Sequence, residues 1–238
     1  MDFNGKTAIV TGAGRGLGLS YASELARLGA HVLISDIGAD RQGAAADASV
    51  AHDAAQALAA QGYSVIGHHG ELVSETGCRQ LVETAVEAFG RLDIVIHNAG
   101  WVGYQAIEEA QPEFVERALG INVYSPIWLC KHAWPYLRQS SAARVVLTSS
   151  DRAMYQPYAQ PGLTAYAAGK MAQLGIMNAL SREGAADGIL VNAVAPVAKT
   201  RMWGVNGEPD NLKPQWVTPG VIFLASAQCQ DSGYILRA

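Results

Sequence analysis

The sequence predicts an α/β fold, a doubly wound parallel sheet of about seven strands with helices on both faces. Short apolar runs alternate with helical segments along the whole chain, and this alternation requires right-handed crossovers between parallel strands. The run 92–96 is almost continuously apolar, as expected of a strand that is covered on both faces. No linker, repeat or low-complexity tract interrupts the pattern, so we expect one domain over residues 1–238.

Each element is predicted, in chain order, from local composition and periodicity. Strands are predicted where β-branched and apolar residues run together between glycines or polar turns, at 7–10, 31–35, 63–67, 92–96, 144–148, 189–193 and 234–236. Helices are predicted where apolar residues recur every three or four positions or where alanine dominates, at 16–28, 44–60, 78–89, 164–186 and 220–227, with two more within 112–138. The polar stretch 37–43 and the Pro- and Trp-containing stretch 196–216 are predicted loops.

The bulk composition argues against several classes of function. With a formal net charge of −4 and a pI near 5.8, the chain has no electrostatic attraction to nucleic acid or anionic membranes. No apolar run approaches the roughly 20 residues that span a bilayer, and the N-terminus lacks the apolar core of a secretory signal. Three cysteines without a CxxC motif predict reduced thiols and no metal site. We therefore expect a cytoplasmic protein.

A glycine-rich segment, 11–18, lies between the first predicted strand and the first predicted helix. Because Gly12, Gly16 and Gly18 have no side chains, the backbone can turn sharply and approach a pyrophosphate held by the helix N-terminus. A plain strand-to-helix turn would also use glycines. The position of the segment in a strand–helix–strand unit favours dinucleotide binding.

Asp36 bears on the choice of cofactor. It ends the second predicted strand, 18 residues after Gly18, where an acid would hold the adenosine ribose. Such a carboxylate would repel a 2′-phosphate by roughly 4 kcal/mol per charge pair at about 4 Å, with an effective dielectric constant of about 20. The positive charge of Arg15 could instead bind the 2′-phosphate of NADP. Asp36, however, would contact the ribose directly, so its effect should outweigh that of Arg15. We therefore expect NAD, with NADP less favoured.

Tyr166 and Lys170 are four residues apart in helix-friendly sequence, so their side chains share one helical face. In an arbitrary protein such a pair is a packed aromatic beside a solvated charge. Here Ser149 and Ser150 end an apolar run shortly upstream, and together the residues suggest a tyrosine acid/base. An ammonium at about 4 Å would lower the pKa of the phenol by about 3 units from its usual value of about 10, so we expect Lys170 to bring Tyr166 into the working range.

These motifs together resemble the short-chain dehydrogenases/reductases, in the order of that family and over nearly the whole chain. The resemblance implies a Rossmann-type fold, a nicotinamide cofactor and an alcohol or ketone as the small-molecule substrate. It also implies a homodimer or homotetramer joined through helices near 122–138 and 164–186. The motifs that carry it are Gly12, Gly16, Gly18, Asn98-Ala99-Gly100, Asn122, Ser150, Tyr166 and Lys170.

The resemblance implies a role for each residue of the expected catalytic set. Tyr166 would be the acid/base, Ser150 would orient the substrate oxygen, and Lys170 would bind the nicotinamide ribose. Asn122 would support a water that links Lys170 to solvent. The expected cofactor-binding residues, from the motifs and the resemblance, are Gly12, Arg15, Gly16, Leu17, Gly18, Asp36, Ile37, Glu71, Leu72, Asn98, Ala99, Gly100, Tyr166, Lys170, Pro196 and Thr200.

Within the family, the loop 36–40 and the segment 195–202 resemble the (3R)-hydroxyacyl-CoA dehydrogenase part of multifunctional β-oxidation enzymes and their bacterial relatives. The chain also departs from the family pattern. Ser150 precedes Tyr166 by 16 residues, about three more than the family has, which leaves Ser149 as the alternative. Glu71 stands where the family usually has an aspartate near adenine. His97 replaces an asparagine, and we interpret it as bracing the sheet.

Three functions remain open from the sequence. The leading hypothesis is an NAD(H)-dependent oxidoreductase acting on a secondary alcohol or ketone, possibly a 3-hydroxyacyl thioester. The alternatives are an NADPH-dependent 3-oxoacyl-thioester reductase, favoured by Arg15, and a non-catalytic nucleotide-binding or scaffold protein, favoured by the altered Ser–Tyr spacing. Aromatic residues near the predicted active-site segments are either pocket-lining or core and loop anchors: Tyr155, Tyr158, Trp101, Trp203 and Trp216.

Overall fold

The computed structural model describes residues 1–40, 43, 46–200 and 209–238. Its centre is a parallel sheet of seven strands in the order β3-β2-β1-β4-β5-β6-β7. The strands are β1 (Thr7–Thr11), β2 (His31–Ser35), β3 (Val65–His68), β4 (Ile94–His97), β5 (Arg144–Thr148), β6 (Leu190–Ala195) and β7 (Ile235–Arg237). The doubly wound α/β fold expected from the sequence is therefore confirmed.

Helices cover both faces of this sheet. In chain order they are α1 (Gly16–Arg27), α2 (Ser49–Ala59), α3 (Glu75–Phe89), α4 (Pro112–Leu119), α5 (Ser125–Leu137), α6 (Asp151–Met154), α7 (Thr164–Glu183) and α8 (Pro214–Ala225). A π-helical turn, Gly120–Tyr124, joins α4 to α5. Within the described ranges, no helix combines the length and the apolar character needed to cross a membrane.

The core is divided between the two faces by the two-residue period of the strands. In β1, Ala8 and Val10 belong to the core on one face, which also contains apolar residues of α1, α2 and α8. Ile9 points to the other face and packs in the core with residues of α3, α5 and α7. All five residues of β1 are buried, as expected of a central strand covered on both sides.

The strand order reverses at the centre of the sheet. The chain runs outward from β1 to β3 and then returns to place β4 on the other side of β1. The loops after β1 and β4 therefore diverge and leave a crevice at the carboxyl edge, where ligands bind in folds of this kind.

Element boundaries differ from the predicted ones where side chains or prolines begin a helix. Helix α2 begins at Ser49 and not at the predicted residue 44. The Asp47 carboxylate accepts a hydrogen bond from the Ser49 amide, the first of the helix, at 3.0 Å. Helix α3 begins at Glu75 and not at residue 78, because the Ser74 hydroxyl caps the Gly77 amide at 3.1 Å. Helix α8 begins at Pro214, within the stretch predicted as loop, since proline is well suited to the first helical turn.

Candidate active site and cofactor cleft

Two adjoining cavities lie at the carboxyl edge of the sheet. The larger, of about 1080 Å³, lies over the ends of β1, β2 and β4. The smaller, of about 390 Å³, contains Ser150, Tyr166 and Lys170 in its lining. They share part of their lining, so the two cavities form one continuous cleft. The shared residues are Leu17, Asn98, Gly100, Val102 and Thr200.

The glycine-rich turn brings backbone directly against the larger cavity. Gly12 has a φ of +60°, and a Cβ there would lie 2.9 Å from the Cα of Ala99. A Cβ on Gly18 would lie 2.3 Å from the carbonyl oxygen of Gly12. No larger residue fits at these two positions. Arg15 is the N-cap of α1 and makes no capping bond with its side chain, so the first amides of α1 are available to hold an anion.

Asp36 is held at the end of β2 by two amides. Its Oδ2 accepts a hydrogen bond from the Gly14 amide at 2.9 Å, and its Oδ1 accepts one from the Gly38 amide at 2.8 Å. These bonds fix the carboxylate on the rim of the larger cavity, beside Ile37. Arg15 is exposed and lines the same cavity, so both groups considered for cofactor choice lie at this end of the cleft.

Glu71 and Leu72 line the cavity next to that rim. The Glu71 carboxylate accepts hydrogen bonds from the amides of Val73 and Ser74 at 3.0 and 3.2 Å, and it also bonds the Ser74 hydroxyl. Its side chain therefore organises the turn that begins α3.

The Asn98-Ala99-Gly100 segment is tied to the end of β1. The Asn98 side-chain amide donates to the carbonyls of Thr11 and Gly12 at 3.1 and 3.0 Å. The Thr11 hydroxyl accepts from the backbone amides of Asn98 and Ala99 at 3.1 and 3.0 Å. Sequence reasoning missed Thr11, although a hydroxyl at the end of a strand directly before the glycine turn was a signal for this role.

Helix α7 carries Tyr166 and Lys170 into the smaller cavity. Lys170 is 3% exposed, and its Nζ donates to the carbonyl of Thr148 at 2.9 Å. Burial lowers the pKa of Lys170 to about 8, because a low-dielectric environment disfavours the ammonium. Ser149 is also buried, and its hydroxyl donates to the Lys170 carbonyl at 2.9 Å.

Ser150 is the hydroxyl that meets Tyr166. Its hydroxyl lies close enough to the phenol to act to lower the pKa of Tyr166. The Ser150 hydroxyl also accepts from the Arg152 amide at 3.3 Å, which caps the short helix α6. The two serines thus point to different partners, and the structure brings Ser150, not the alternative Ser149, to the tyrosine.

The prediction that Lys170 brings the pKa of Tyr166 below its usual value is wrong. Burial raises the pKa of Tyr166, and this effect exceeds the opposing effects of the Ser150 hydrogen bond and the Arg152 charge. The ammonium of Lys170 is turned toward the Thr148 carbonyl. Helical spacing correctly placed the two side chains on one face. How far water reaches the Tyr166 phenolate and the Lys170 ammonium depends instead on tertiary packing, which the spacing does not predict.

Asn122 lies in the π-helical turn, behind Lys170. Its side-chain amide donates to the carbonyls of Trp101 and Ala118 at 3.1 and 3.0 Å. Its Oδ1 is buried and has no hydrogen-bond partner among the described residues. A Cβ on Gly100 would lie 3.0 Å from both the Asn122 Oδ1 and the Lys170 Nζ. The two polar atoms therefore flank the same glycine, where a polar atom of a ligand or water could join them.

His97 braces the sheet behind this cluster. Its Nε2 is 2.9 Å from the Ser125 hydroxyl of α5, and its carbonyl accepts from the Thr148 hydroxyl at 2.9 Å. Burial, with a contribution from the Lys170 charge, lowers the pKa of His97 to about 3. The imidazole is therefore neutral near pH 7, which agrees with a structural role.

The remaining predicted residues divide between the cavities and other surfaces. Pro196 lines the smaller cavity, and Thr200 lines both. Trp101 lines the larger cavity, where the Arg117 guanidinium stacks 4.6 Å from its ring centroid. Tyr158 lines the smaller cavity. Neither Tyr155 nor Trp216 is among the described lining residues, and Trp203 lies outside the described residues.

The residues of the cleft fit a dinucleotide. The glycine turn provides close backbone approach, Asp36 offers carboxylate oxygens at the adenosine end, and Asn122 retains an unpaired buried oxygen beside Lys170. The cleft then ends at Tyr166 and Ser150, which line the same cavity. This arrangement can bind an extended anionic cofactor and transfer a proton at its inner end.

Comparison with known proteins adds a family to this geometry. A family model described as short chain dehydrogenase matches residues 6–210. A short-chain type dehydrogenase/reductase of Mycobacterium tuberculosis is 31% identical over 233 residues, which cover 97% of this chain and 80% of that protein. The peroxisomal multifunctional enzyme type 2 of Drosophila melanogaster is 30% identical over 243 residues. That match covers 100% of this chain but only 39% of the fly protein.

Solved structures show the same architecture. A short chain dehydrogenase from Burkholderia cenocepacia in complex with NADP superposes with a TM-score of 0.87 at 27% identity, covering 100% of this chain and 97% of that one. A dehydrogenase/reductase from Sinorhizobium meliloti gives a TM-score of 0.87 at 26% identity, with 99% and 94% covered.

Proposed function

Because the chain belongs to the short-chain dehydrogenase family, a family of oxidoreductases, we propose that it interconverts a secondary alcohol and a ketone with NAD(H), using Tyr166 as the acid/base. The observation that carries this proposal is the joining of the two cavities. One side of the cleft is a glycine-lined cradle with Asp36 at its rim, and the other contains Ser150, Tyr166 and Lys170.

The proposed chemistry assigns proton transfer to the protein. In the oxidative direction Tyr166 accepts the proton of the alcohol, and in the reductive direction it donates a proton to the carbonyl oxygen. Ser150 hydrogen-bonds that same oxygen and holds it beside the phenol. When bound, the nicotinamide supplies the hydride acceptor or donor.

Lys170 and Asn122 support the tyrosine in this proposal. With a pKa of about 8, Lys170 is mostly protonated at neutral pH and can hold hydroxyl oxygens of the cofactor ribose. The unpaired Oδ1 of Asn122 lies on the other side of Gly100, where it can accept a hydrogen bond from a water that also contacts the lysine. That water would return protons between solvent and the active site.

The choice of NAD over NADP rests on Asp36. Its carboxylate is fixed by two amides on the rim of the cavity, where it would accept hydrogen bonds from ribose hydroxyls and repel a 2′-phosphate. The alternative, an NADPH-dependent 3-oxoacyl-thioester reductase, is favoured by the exposed Arg15 on the same rim. The Burkholderia relative also binds NADP. Comparing the affinities of NADH and NADPH separates the two.

Relatives suggest one substrate class and an assembly. The names of several relatives describe peroxisomal multifunctional enzymes and hydratase-dehydrogenase-epimerases, which supports 3-hydroxyacyl thioesters as candidate substrates. We also propose a homodimer or homotetramer. Ile127 of α5 and Met171 of α7 are exposed apolar residues on the helices expected at that interface.

The test of the proposed function is Tyr166→Phe. This change removes the proton donor and acceptor but leaves the glycine turn and Asp36 intact, so cofactor affinity should stay within about threefold while turnover falls by about 100-fold or more. Cofactor binding is measured by fluorescence titration and turnover by NADH absorbance with a panel of alcohols and hydroxyacyl thioesters. Tyr136→Phe, on α5 and away from both cavities, is the matched control. Near-normal turnover in Tyr166→Phe would refute the assignment, and a non-catalytic binding protein would bind cofactor without turnover in any variant.

A further inference from the structure

Residues 151–163, termed here the substrate wall, lie between Ser150 and α7 and contribute several side chains to the smaller cavity. The wall is tied to the loop after β4 at two points. The Gln105 amide donates to the Gly162 carbonyl at 3.0 Å, and the Tyr104 hydroxyl donates to the Gln160 side chain at 3.1 Å. Both ties lie in the second half of the wall, so the first half, next to Ser150, depends on other contacts.

Arg237 of β7 supplies those contacts. Its Nε donates to the Asp151 carboxylate at 2.6 Å, and its Nη2 donates to the Tyr158 hydroxyl at 3.2 Å. The guanidinium also lies 5.5 Å from the centroid of the Tyr158 ring. Because a guanidinium presents its donors in a rigid planar fork, one side chain fixes two separate parts of the wall. Arg237, Asp151 and Tyr158 are termed the Arg237 clamp.

The clamp is anchored in the sheet. Arg237 pairs with Ala195 of β6, and the Ala238 amide donates to the Ala195 carbonyl at 3.2 Å. Pro196 and Val197, which follow β6 directly, line the same cavity as the wall. The clamp therefore joins the substrate wall to strands whose ends also contribute to the cavity.

Asp151 connects the clamp to Ser150, the residue before it in the chain. Asp151 is 8% exposed, its Oδ2 pairs with Arg237, and its Oδ1 is buried without a hydrogen-bond partner in the described part of the chain. Ser150 belongs to the same turn, and its carbonyl accepts from the amides of Ala153 and Met154 at 3.0 and 3.1 Å. Without Arg237, a mostly buried carboxylate would lose its counter-ion. Asp151 would then turn toward water, and the turn that holds Ser150 would shift.

We propose that Arg237 is a positioning residue, which acts through Asp151 to hold Ser150 beside Tyr166 and through Tyr158 to hold the substrate wall. The inference rests on the proposed function, since it takes Ser150 and Tyr166 as the site of reaction. The chain between these two residues is longer than in the family pattern, and a longer segment constrains its ends less. A contact from a different strand fixes what the segment alone leaves free.

The first test is a double-mutant cycle with Ser150. Arg237→Gln should lower kcat/KM for the best alcohol of the panel by about 10- to 100-fold, because a displacement of about 1 Å at a reacting group has an effect of that size. NADH affinity, from fluorescence titration, should change by less than about threefold. In a Ser150→Ala background, Arg237→Gln should lower kcat/KM by less than about threefold, since the group that it positions is already removed. Equal losses in the two backgrounds would indicate a general structural effect and would overturn the proposal.

Two further variants bracket this result. Arg237→Lys should recover part of the lost kcat/KM, because an ammonium keeps the charge that faces Asp151 but lacks the planar fork. Arg27→Gln is the matched control, since Arg27 makes a similar ion pair with Glu24 at 2.7 Å near the end of α1, away from both cavities. It should leave kcat/KM unchanged.

A second readout does not depend on turnover. Hydrogen exchange of the backbone amides, followed by mass spectrometry, should be about 10-fold faster over residues 151–160 in Arg237→Gln and unchanged over α1. Unchanged exchange in the wall would overturn the proposal. Absence of turnover in the wild-type protein would refute the proposed function and not the Arg237 clamp, which exchange measures separately.

Discussion

Lys170 and Tyr166 show how burial sets the chemistry of single residues. Both side chains are almost fully enclosed, and burial lowers the pKa of the lysine to about 8 while it raises that of the tyrosine. Both shifts favour the neutral forms. A phenolate–ammonium pair therefore needs additional stabilisation, and the Ser150 hydrogen bond and the Arg152 charge each supply part of it for the phenolate.

The buried ammonium should cost stability, which Lys170→Met tests. The folded pKa of about 8 lies below the usual 10.5, so between these values the unfolded chain binds the proton more tightly. The contribution of Lys170 to the free energy of unfolding is thus highest above pH 10.5 and is lost as the pH falls toward 8. Below pH 8 the buried ammonium lowers the free energy of unfolding by on the order of 3 kcal/mol. The hydrogen bond to the Thr148 carbonyl offsets part of this loss.

We therefore expect urea unfolding at pH 7 to show Lys170→Met more stable than wild type by about 1–3 kcal/mol, although its turnover is lost. The difference should shrink as the pH is raised from 8. Gln173→Met, a buried polar residue on the same helix, controls for the apolar replacement. A difference that does not depend on pH would contradict the assigned titration.

At the scale of elements, the site is built from the carboxyl ends of strands. The glycine turn after β1, the Asp36 loop after β2, the Asn98 segment after β4 and the serines after β5 meet along one edge of the sheet. Helix α7 adds Tyr166 and Lys170 to the lining of the cleft at this edge. Parallel pairing brings these segments together because all carboxyl ends lie on the same side.

The loop after β2 should decide between the two nicotinamide cofactors. Asp36→Asn removes the charge, so the ratio of NADPH affinity to NADH affinity should rise by about 10-fold or more, as measured by fluorescence titration. One of the two amides that bond Asp36 also loses its acceptor, and a melting curve checks for that loss. Asp53→Asn, exposed on α2, should leave the ratio unchanged. An unaltered ratio in Asp36→Asn would show that Asp36 does not select the cofactor.

At the scale of the whole molecule, the cleft lies at the carboxyl edge of the sheet, whereas a buried network of hydrogen bonds lies at the amino end of β4. Asp93, at the amino end of β4, is fully buried and far from the cleft in the topology of the sheet. Its carboxylate accepts from the Thr7 amide at 2.9 Å and from the Arg91 guanidinium at 2.8 and 2.7 Å, and it also bonds Ser140. Burial alone would raise the pKa of Asp93, but these hydrogen bonds outweigh burial and lower it.

Asp93→Asn should therefore affect stability and spare activity. A carboxylate with a lowered pKa stabilises the fold above its usual value of 3.8, and this contribution is lost as the pH falls through the folded pKa. We expect the variant to lose about 2–3 kcal/mol of unfolding free energy at pH 7, measured by urea titration, with turnover per folded molecule unchanged. Below pH 3.8 the deficit should diminish, and a constant deficit would argue against the ionised network.

Much of the site followed from the sequence because its determinants are local. Strands and helices follow from periods of two and about 3.6, and the glycine turn and Asp36 each follow directly from a strand end. The Tyr166–Lys170 pair needs only helical spacing. These patterns involve neighbours along the chain, so they predicted the succession of strands and helices along the chain and the candidate residues that follow the strand ends.

Only the tertiary structure decided which groups share a partner and which are shielded from water. The choice between Ser149 and Ser150 depends on where α7 packs against β5, and the Arg237–Asp151 pair joins residues far apart in the chain. The direction of the Tyr166 pKa shift depends on its burial, which spacing along a helix does not encode. Local pattern specifies faces and turns, whereas solvation and long-range pairing arise only when separate elements pack together.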